Sequence, residues 1–185
     1  PLVVSVWGSL GAAHMNEIMT DFIVRACAKP FFNLIHSAGK AGYSRMSAAL
    51  EREKPDYARL GMDVRDYIYD MPRVMAAADL VLCRAGASTI SELTYMHKPT
   101  IFVPSPFVTN NHQFKNAKVV EDAGGALIFE EGWFEPKELL KAVNDILSSD
   151  DKLEKMSAAM AKLAKPEATD MICDRIFSLL AENRK

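Results

Sequence analysis

The run Arg84-Ala85-Gly86-Ala87-Ser88-Thr89-Ile90-Ser91-Glu92 carries the densest chemistry in this 185-residue chain. Small residues around a glycine let a phosphate approach backbone amides, and a helix starting there aims its positive dipole end at the anion. Thr89 adds a hydroxyl. Glu92 follows three residues later on the same helical face, where a carboxylate would accept hydrogen bonds from both hydroxyls of a ribose. The same spacing makes Thr89-Ile90-Ser91-Glu92 a capping box, in which Glu92 only satisfies the backbone of its own helix. Spacing alone leaves both readings open.

Two further loops have suitable chemistry. Gly8-Ser9-Leu10-Gly11-Ala12 is either a second phosphate loop, with Ser9 and Gly11 at its centre, or a tight strand-to-helix turn that needs small residues. It is not a dinucleotide fingerprint, because the spacing is Gly-x-x-Gly and the next strand ends in His36-Ser37 without an acid. Thr109-Asn110-Asn111-His112-Gln113, with Asn116 one turn on, offers amides that both donate and accept, as the hydroxyls of a sugar require. An Asn cap with Gln113 reaching back would account for Asn110 and Gln113 but not for Asn116. His112 has no second His or Cys at ligand spacing, so neither a metal nor another cofactor is expected.

These loops need elements to hold them. Short apolar runs alternate with helical periods along the chain. Strands are expected at Leu2–Trp7, Phe31–Ile35, Val64–Ile68, Leu80–Cys83, Thr100–Val103 and Ala126–Phe129. Helices are expected over Ala12–Ala28, Tyr43–Glu53, Met71–Ala78, Ser88–Met96, Asn111–Ala123 and from Pro136 onward, with breaks at Ser148–Asp150 and near Pro166. Continuous apolar strands alternating with helices predict an α/β, Rossmann-like, doubly wound parallel sheet with a helical C-terminal tail. Ligands of such sheets sit beyond the carboxyl ends of the strands, where the three loops fall. Met71, Met75, Trp133, Met156 and Met160 are read as packing, and His14 and His97 as surface or cap residues. Lys40 is read as a surface residue with a cleft-facing alternative.

Composition narrows the class. Half of the chain is apolar (49 %), enough for a packed core, and no apolar run approaches the length of a membrane span. A formal net charge of −2 argues against a nucleic-acid partner. Cys27, Cys83 and Cys173 are scattered and odd in number, which fits a reducing, cytoplasmic setting. The bare opening Pro1-Leu2-Val3-Val4 reads like the interior of a longer protein.

Taken in order, Gly8–Ala12, Cys83–Glu92 and His112–Ala117 resemble the C-terminal domain of the MurG family. These are the bacterial GT-B transferases that add N-acetylglucosamine to the lipid-linked muramyl-pentapeptide of peptidoglycan. His36–Lys40, Tyr67–Met71 and Val103-Pro104 resemble it too, so the likeness runs from Val3 to Phe129. The resemblance implies that residues 1–165 bind UDP-N-acetylglucosamine (UDP-GlcNAc), and that 166–185 form a helix packing on an N-terminal domain absent from this sequence. It implies ribose binding by Glu92, diphosphate binding by Ala87, Ser88, Thr89 and the Ser9–Gly11 loop, and uracil recognition by the main chain of Ile68. It implies sugar recognition by Gln113 and Asn116, with His112 where a second amide can occur. For Arg84 it leaves packing on the uridine or structural pairing. Trp7 departs from the glycine, and Leu10 from the glutamine, that relatives often carry. The catalytic base and the lipid-linked acceptor belong to the absent half, and the whole enzyme would lie peripherally on the inner face of the plasma membrane. Two alternatives share the donor: a stand-alone binding subunit of a two-chain membrane transferase, and half of a UDP-GlcNAc 2-epimerase.

Overall fold

The computed structural model describes residues 1–8 and 12–182. The strands are β1 (Leu2–Val6), β2 (Asn33–Ser37), β3 (Met62–Arg65), β4 (Leu80–Cys83), β5 (Thr100–Phe102) and β6 (Ala126–Ile128). They form one parallel six-stranded sheet in the order β3-β2-β1-β4-β5-β6. The chain winds outward from β1 in one direction and from β4 in the other, so the topological switch point lies between them. The α/β Rossmann-like class read from the sequence is the class observed.

The helices are α1 (Ala13–Ala26), α2 (Lys40–Glu53), α3 (Met71–Ala77), α4 (Ala87–Tyr95), α5 (His112–Asp122), α6 (Pro136–Leu147), α7 (Asp150–Leu163) and α8 (Ala168–Glu182). Alternation along the strands sends Val3, Leu34 and Leu82 to one face and Val4, Val81 and Phe102 to the other. The first set packs under α1, α2 and α6 through Met19, Leu50 and Val143. The second packs under α3, α4 and α5 through Val74, Leu93 and Val120. The α7 helix follows both, with Met156 in the first cluster and Met160 in the second. Helix starts are set locally. Pro136 opens α6, where Glu135 and Glu138 make a reciprocal capping box, and Ser149 caps α7 through the Lys152 amide at 3.3 Å.

Four expectations change. The β3 strand lies at Met62–Arg65 rather than Val64–Ile68, which leaves Ile68 in the loop beyond it. Trp133 is not packing: it is 87 % exposed beside a groove between α5 and α6, on a turn whose ring-to-ring contact is made by Phe129 and Phe134 instead. The β2 strand starts at Asn33 rather than Phe31, because its register follows β1, where Leu2 pairs Asn33. The α2 helix starts at Lys40, after Gly39 at φ +76°, and so contains Gly42.

Gly42 sits inside that helix because Asn16 crosses it. An added Cβ would stand 2.2 Å from Asn16 Nδ2. That amide donates to the Ala38 carbonyl at 2.8 Å, and Asn16 Oδ1 meets His36 Nε2 at 3.2 Å. His36 Nδ1 meets Ser5 Oγ at 3.0 Å. Ser5 and His36 are fully buried and Asn16 nearly so, and the network ties β1, β2 and α1 together beneath the end of β2. Burial holds the imidazole neutral, lowering its pKa to about 3.

The α8 helix differs from the rest. Its apolar residues Met171, Ile172, Ile176, Phe177, Leu179 and Leu180 are between 41 and 68 % exposed. Among the described residues, no helix is long and apolar enough to cross a membrane.

Candidate functional site

A cleft of about 740 Å³ opens at the carboxyl ends of the strands, across the switch point. Its walls are the segments that follow five strands and the start of α1. Trp7 and Gly8 come from β1, Tyr67 and Ile68 from β3, Arg84, Gly86, Thr89 and Glu92 from β4, Ser105, Phe107 and Gln113 from β5, and Glu131 from β6. Ala12, Ala13 and His14 open α1 on the same wall.

The β4–α4 turn removes the capping-box reading of Glu92. Gly86 is the N-cap of α4, in an extended conformation with no side-chain cap, so Thr89 is the third residue inside the helix. A capping box beginning at Thr89 would need it one position outside. The first internal bond runs from the Ile90 amide to the Gly86 carbonyl at 3.0 Å. Ahead of it lie the amides of Ala87, Ser88 and Thr89, which a helix leaves without internal acceptors. Glu92 is exposed on the next turn, and its carboxylate takes no ion pair or hydrogen bond among the described residues. Two features sought in a nucleotide site, free amides and a free acid one turn on, therefore share one helix.

Opposite, Gly8 adopts φ +100° with open space around it, so its backbone rather than crowding calls for glycine. Ser9 and Gly11 lie outside the described residues. The Trp7 side chain turns inward, 3 % exposed, and its ring lies 5.8 Å from the Arg84 guanidinium carbon. Arg84 is held on three sides. Its Nη1 donates to the Val103 carbonyl at 2.9 Å and stands 2.6 Å from Glu131 Oε2, above the indole. Of the two roles left open for Arg84, structural pairing is the one this geometry provides.

Gln113 reaches into the cleft, and its Oε1 accepts the Ser105 amide at 2.9 Å, which fixes the loop after β5 and leaves its NH₂ group for a ligand. It does not reach back to Asn110, since Asn110 and Asn111 are both left-handed (φ +55° and +52°) and neither caps α5 with its side chain. Asn116 donates to the Ala85 carbonyl at 3.3 Å, buttressing the turn from the neighbouring groove between α4 and α5. His112 is exposed outside the cleft wall, its ring bonded to the Thr109 carbonyl at 3.0 Å. Ala87 and Ser88 are exposed in the first turn of α4, and neither side chain lines the cleft; Ala87 borders the groove between α4 and α5 instead. Lys40 is exposed at the start of α2 and does not line the cleft.

Sequence reasoning missed Glu131. It stands three residues beyond β6 with a side chain only 5 % exposed, and its Oε1 takes His14 Nδ1 at 2.8 Å. The signal was an acidic pair, Glu130-Glu131, directly after a strand, at a position the parallel topology brings to the cleft.

Residues 2–172 match the model of the glycosyltransferase family 28 C-terminal domain. A protein of Ruminiclostridium cellulolyticum named UDP-N-acetylglucosamine–N-acetylmuramyl-(pentapeptide) pyrophosphoryl-undecaprenol N-acetylglucosamine transferase is 37 % identical over 182 residues, which is 98 % of this chain and 48 % of that protein. The protein of the same name from Acetivibrio thermocellus is 36 % identical over 180 residues, again 48 % of its length. The chain thus spans about half the length of the curated relatives it matches. Among solved structures, MurG of Acinetobacter baumannii superposes with a TM-score of 0.80 at 29 % identity, over 95 % of this chain and 49 % of that one. A UDP-N-acetylglucosamine 2-epimerase from Listeria monocytogenes, at 13 % identity and a TM-score of 0.70, shares the fold alone.

Proposed function

Because the chain belongs to the glycosyltransferase family 28 C-terminal domains, we propose that it is the donor-binding half of a UDP-GlcNAc-dependent transferase of GT-B type. The observation that carries the reading is the free Glu92 carboxylate one turn beyond the open amides of α4. In this reading Glu92 accepts the two ribose hydroxyls. The diphosphate lies on the Ala87, Ser88 and Thr89 amides, with the Thr89 hydroxyl and the backbone at Gly8 also contributing. The main chain at Ile68 reads the uracil, and the Gln113 amide donates to the sugar. Asn116 supports the turn from behind.

The full reaction is an inverting displacement at the anomeric carbon. A base in a preceding half deprotonates an acceptor hydroxyl, the new glycosidic bond forms on the opposite face, and UDP departs with the bonding pair. The acceptor is a lipid-linked muramyl-pentapeptide, and the enzyme works peripherally at the inner membrane face. The acceptor reading is supported by relatives above 30 % identity that are named for that transfer. The epimerase alternative rests on a shared fold only. The α8 helix, with its exposed apolar residues, packs on the preceding half.

Charge on the leaving diphosphate is met by preorganised amides and the α4 dipole rather than by a bound cation. Affinity for UDP should therefore survive chelation of divalent ions, and a loss of binding in EDTA would count against this arrangement. In calorimetric titrations, Glu92→Ala should weaken UDP by about 1.5–3 kcal/mol, the range for a hydrogen bond to a charged group. Unchanged affinity would remove Glu92 from the site. Gln113→Ala should erode the preference for UDP-GlcNAc over UDP; equal losses for the two ligands would place Gln113 in loop support alone.

A further inference from the structure

Glu131 is the most enclosed carboxylate in the cleft wall, and it touches two junctions at once. Its Oε2 stands 2.6 Å from Arg84 Nη1, and Arg84 lies two residues before the N-cap of α4. Its Oε1 stands 2.8 Å from His14 Nδ1, in the first turn of α1. A carboxylate accepts only, so this His14 nitrogen carries the proton and donates. The contact to Arg84 is not an aligned hydrogen bond, because Oε2 has no hydrogen-bond partner and Nη1 is directed at the Val103 carbonyl. It is a close charge pair in a dry setting, with side chains 14 % and 5 % exposed and the Trp7 ring beneath.

We propose that Glu131 is a positioning residue that sets the spacing between the α1 and α4 N-termini, the two anion-facing turns of the cleft. The proposal rests on the donor-binding reading for its consequence but not for its geometry. One anionic group from the loop after the edge strand β6 bridges the first turn of α1 and the β4–α4 turn, through His14 and Arg84. Removing it leaves the largely enclosed Arg84 cation without its carboxylate partner and frees both helix starts, and an enclosed pair broken on one side is disruptive. A diphosphate spanning the two turns needs their separation fixed in advance. A nucleoside monophosphate, anchored mainly by Glu92 and the uracil contacts, needs it less.

The test uses the 185-residue chain with Glu131→Ala and Glu131→Gln, the second keeping an acceptor for His14 while losing the charge. Hydrogen exchange is read first, without ligand. The Asn16 and Ile90 amides, which make the first internal bonds of α1 and α4, should lose protection by about tenfold in Glu131→Ala, a local opening. The two should move together and by less in Glu131→Gln, while amides of β1 and β4 stay protected. Titration then compares UDP with UMP. UDP affinity should fall at least about tenfold in Glu131→Ala, as for loss of one buried charge partner, with UMP nearly unchanged. Unaltered protection at both amides, equal losses for UDP and UMP, or tighter UDP binding through the released Arg84 charge would each overturn the proposal. Should the unmodified chain bind neither nucleotide, the donor-binding reading fails instead, and the exchange result still decides the positioning role.

Discussion

Between pH 7 and pH 4.5 the folded chain should lose about 2–3 kcal/mol of stability through His36 alone. The imidazole is fully buried and its pKa is lowered to about 3 by desolvation, whereas in the unfolded chain it returns to the ordinary value near 6.5. Over the intervening pH range the unfolded state binds one more proton than the folded state, so stability rises with pH across this window. Above pH 6.5 the contribution is flat. Folded protein cannot accept the proton cheaply, because full burial strips the imidazolium of its hydration and no carboxylate among the described residues bonds the ring to offset the loss. Chemical denaturation at a series of pH values checks this, with His36→Gln as the reference. The unmodified chain should lose stability more steeply than the variant below pH 6.5. Parallel curves would show that other groups account for the acid sensitivity.

The second large effect is at Gly42. Gly42→Ala places a methyl where Asn16 Nδ2 now lies, at 2.2 Å, and Asn16 has little freedom to yield. Its amide is bonded to the Ala38 carbonyl on one side and to the His36 ring on the other. The methyl either displaces Asn16, leaving buried polar groups unpaired, or pushes α2 off the sheet. Both routes cost about 2–4 kcal/mol, against the gain of roughly 1 kcal/mol that alanine normally brings inside a helix. A lowered midpoint in urea, with the slope unchanged, is the expected outcome. A stabilised Gly42→Ala would mean that the helical propensity outweighs the network.

The same pair of residues shows what the sequence could and could not announce. Gly42 looks like a strand or helix terminator when only neighbours in sequence are considered, and the reason for it, Asn16, is 26 positions upstream. Glycine selected by a tertiary contact has no local signature. By contrast, Leu80–Cys83 and its following turn were legible because an apolar strand, a glycine and a helix stripe all agree there. The status of Glu92 was not legible, since a capping box and a ribose ligand require the same spacing. The position of Gly86 as the cap excludes the capping box, and the ribose role is left to titration.

Trp133 and Glu131 erred in opposite directions. A tryptophan is usually packed and a glutamate usually solvated, yet here the former is 87 % exposed and the latter's side chain 5 %. Both lie on the turn after β6, an edge strand of three residues. What such a turn buries depends on Arg84, two strands away after β4, and on His14, at the start of α1 beyond the switch point. Trp7 belongs to the same pattern: the sequence marks it as a departure from the glycine of relatives, and its role under the Arg84 charge follows only from the fold.

The central claim is that the start of α4 gathers the diphosphate on backbone amides while Glu92 grips the adjoining ribose. The most direct measurement is a crystal structure of the chain soaked with UDP. The account predicts phosphate oxygens within hydrogen-bond reach of the Ala87, Ser88 and Thr89 amides, with both ribose hydroxyls on the Glu92 carboxylate. Density for the nucleotide in the groove between α5 and α6, or a cleft left empty at saturating UDP with Glu92 turned away, would contradict it.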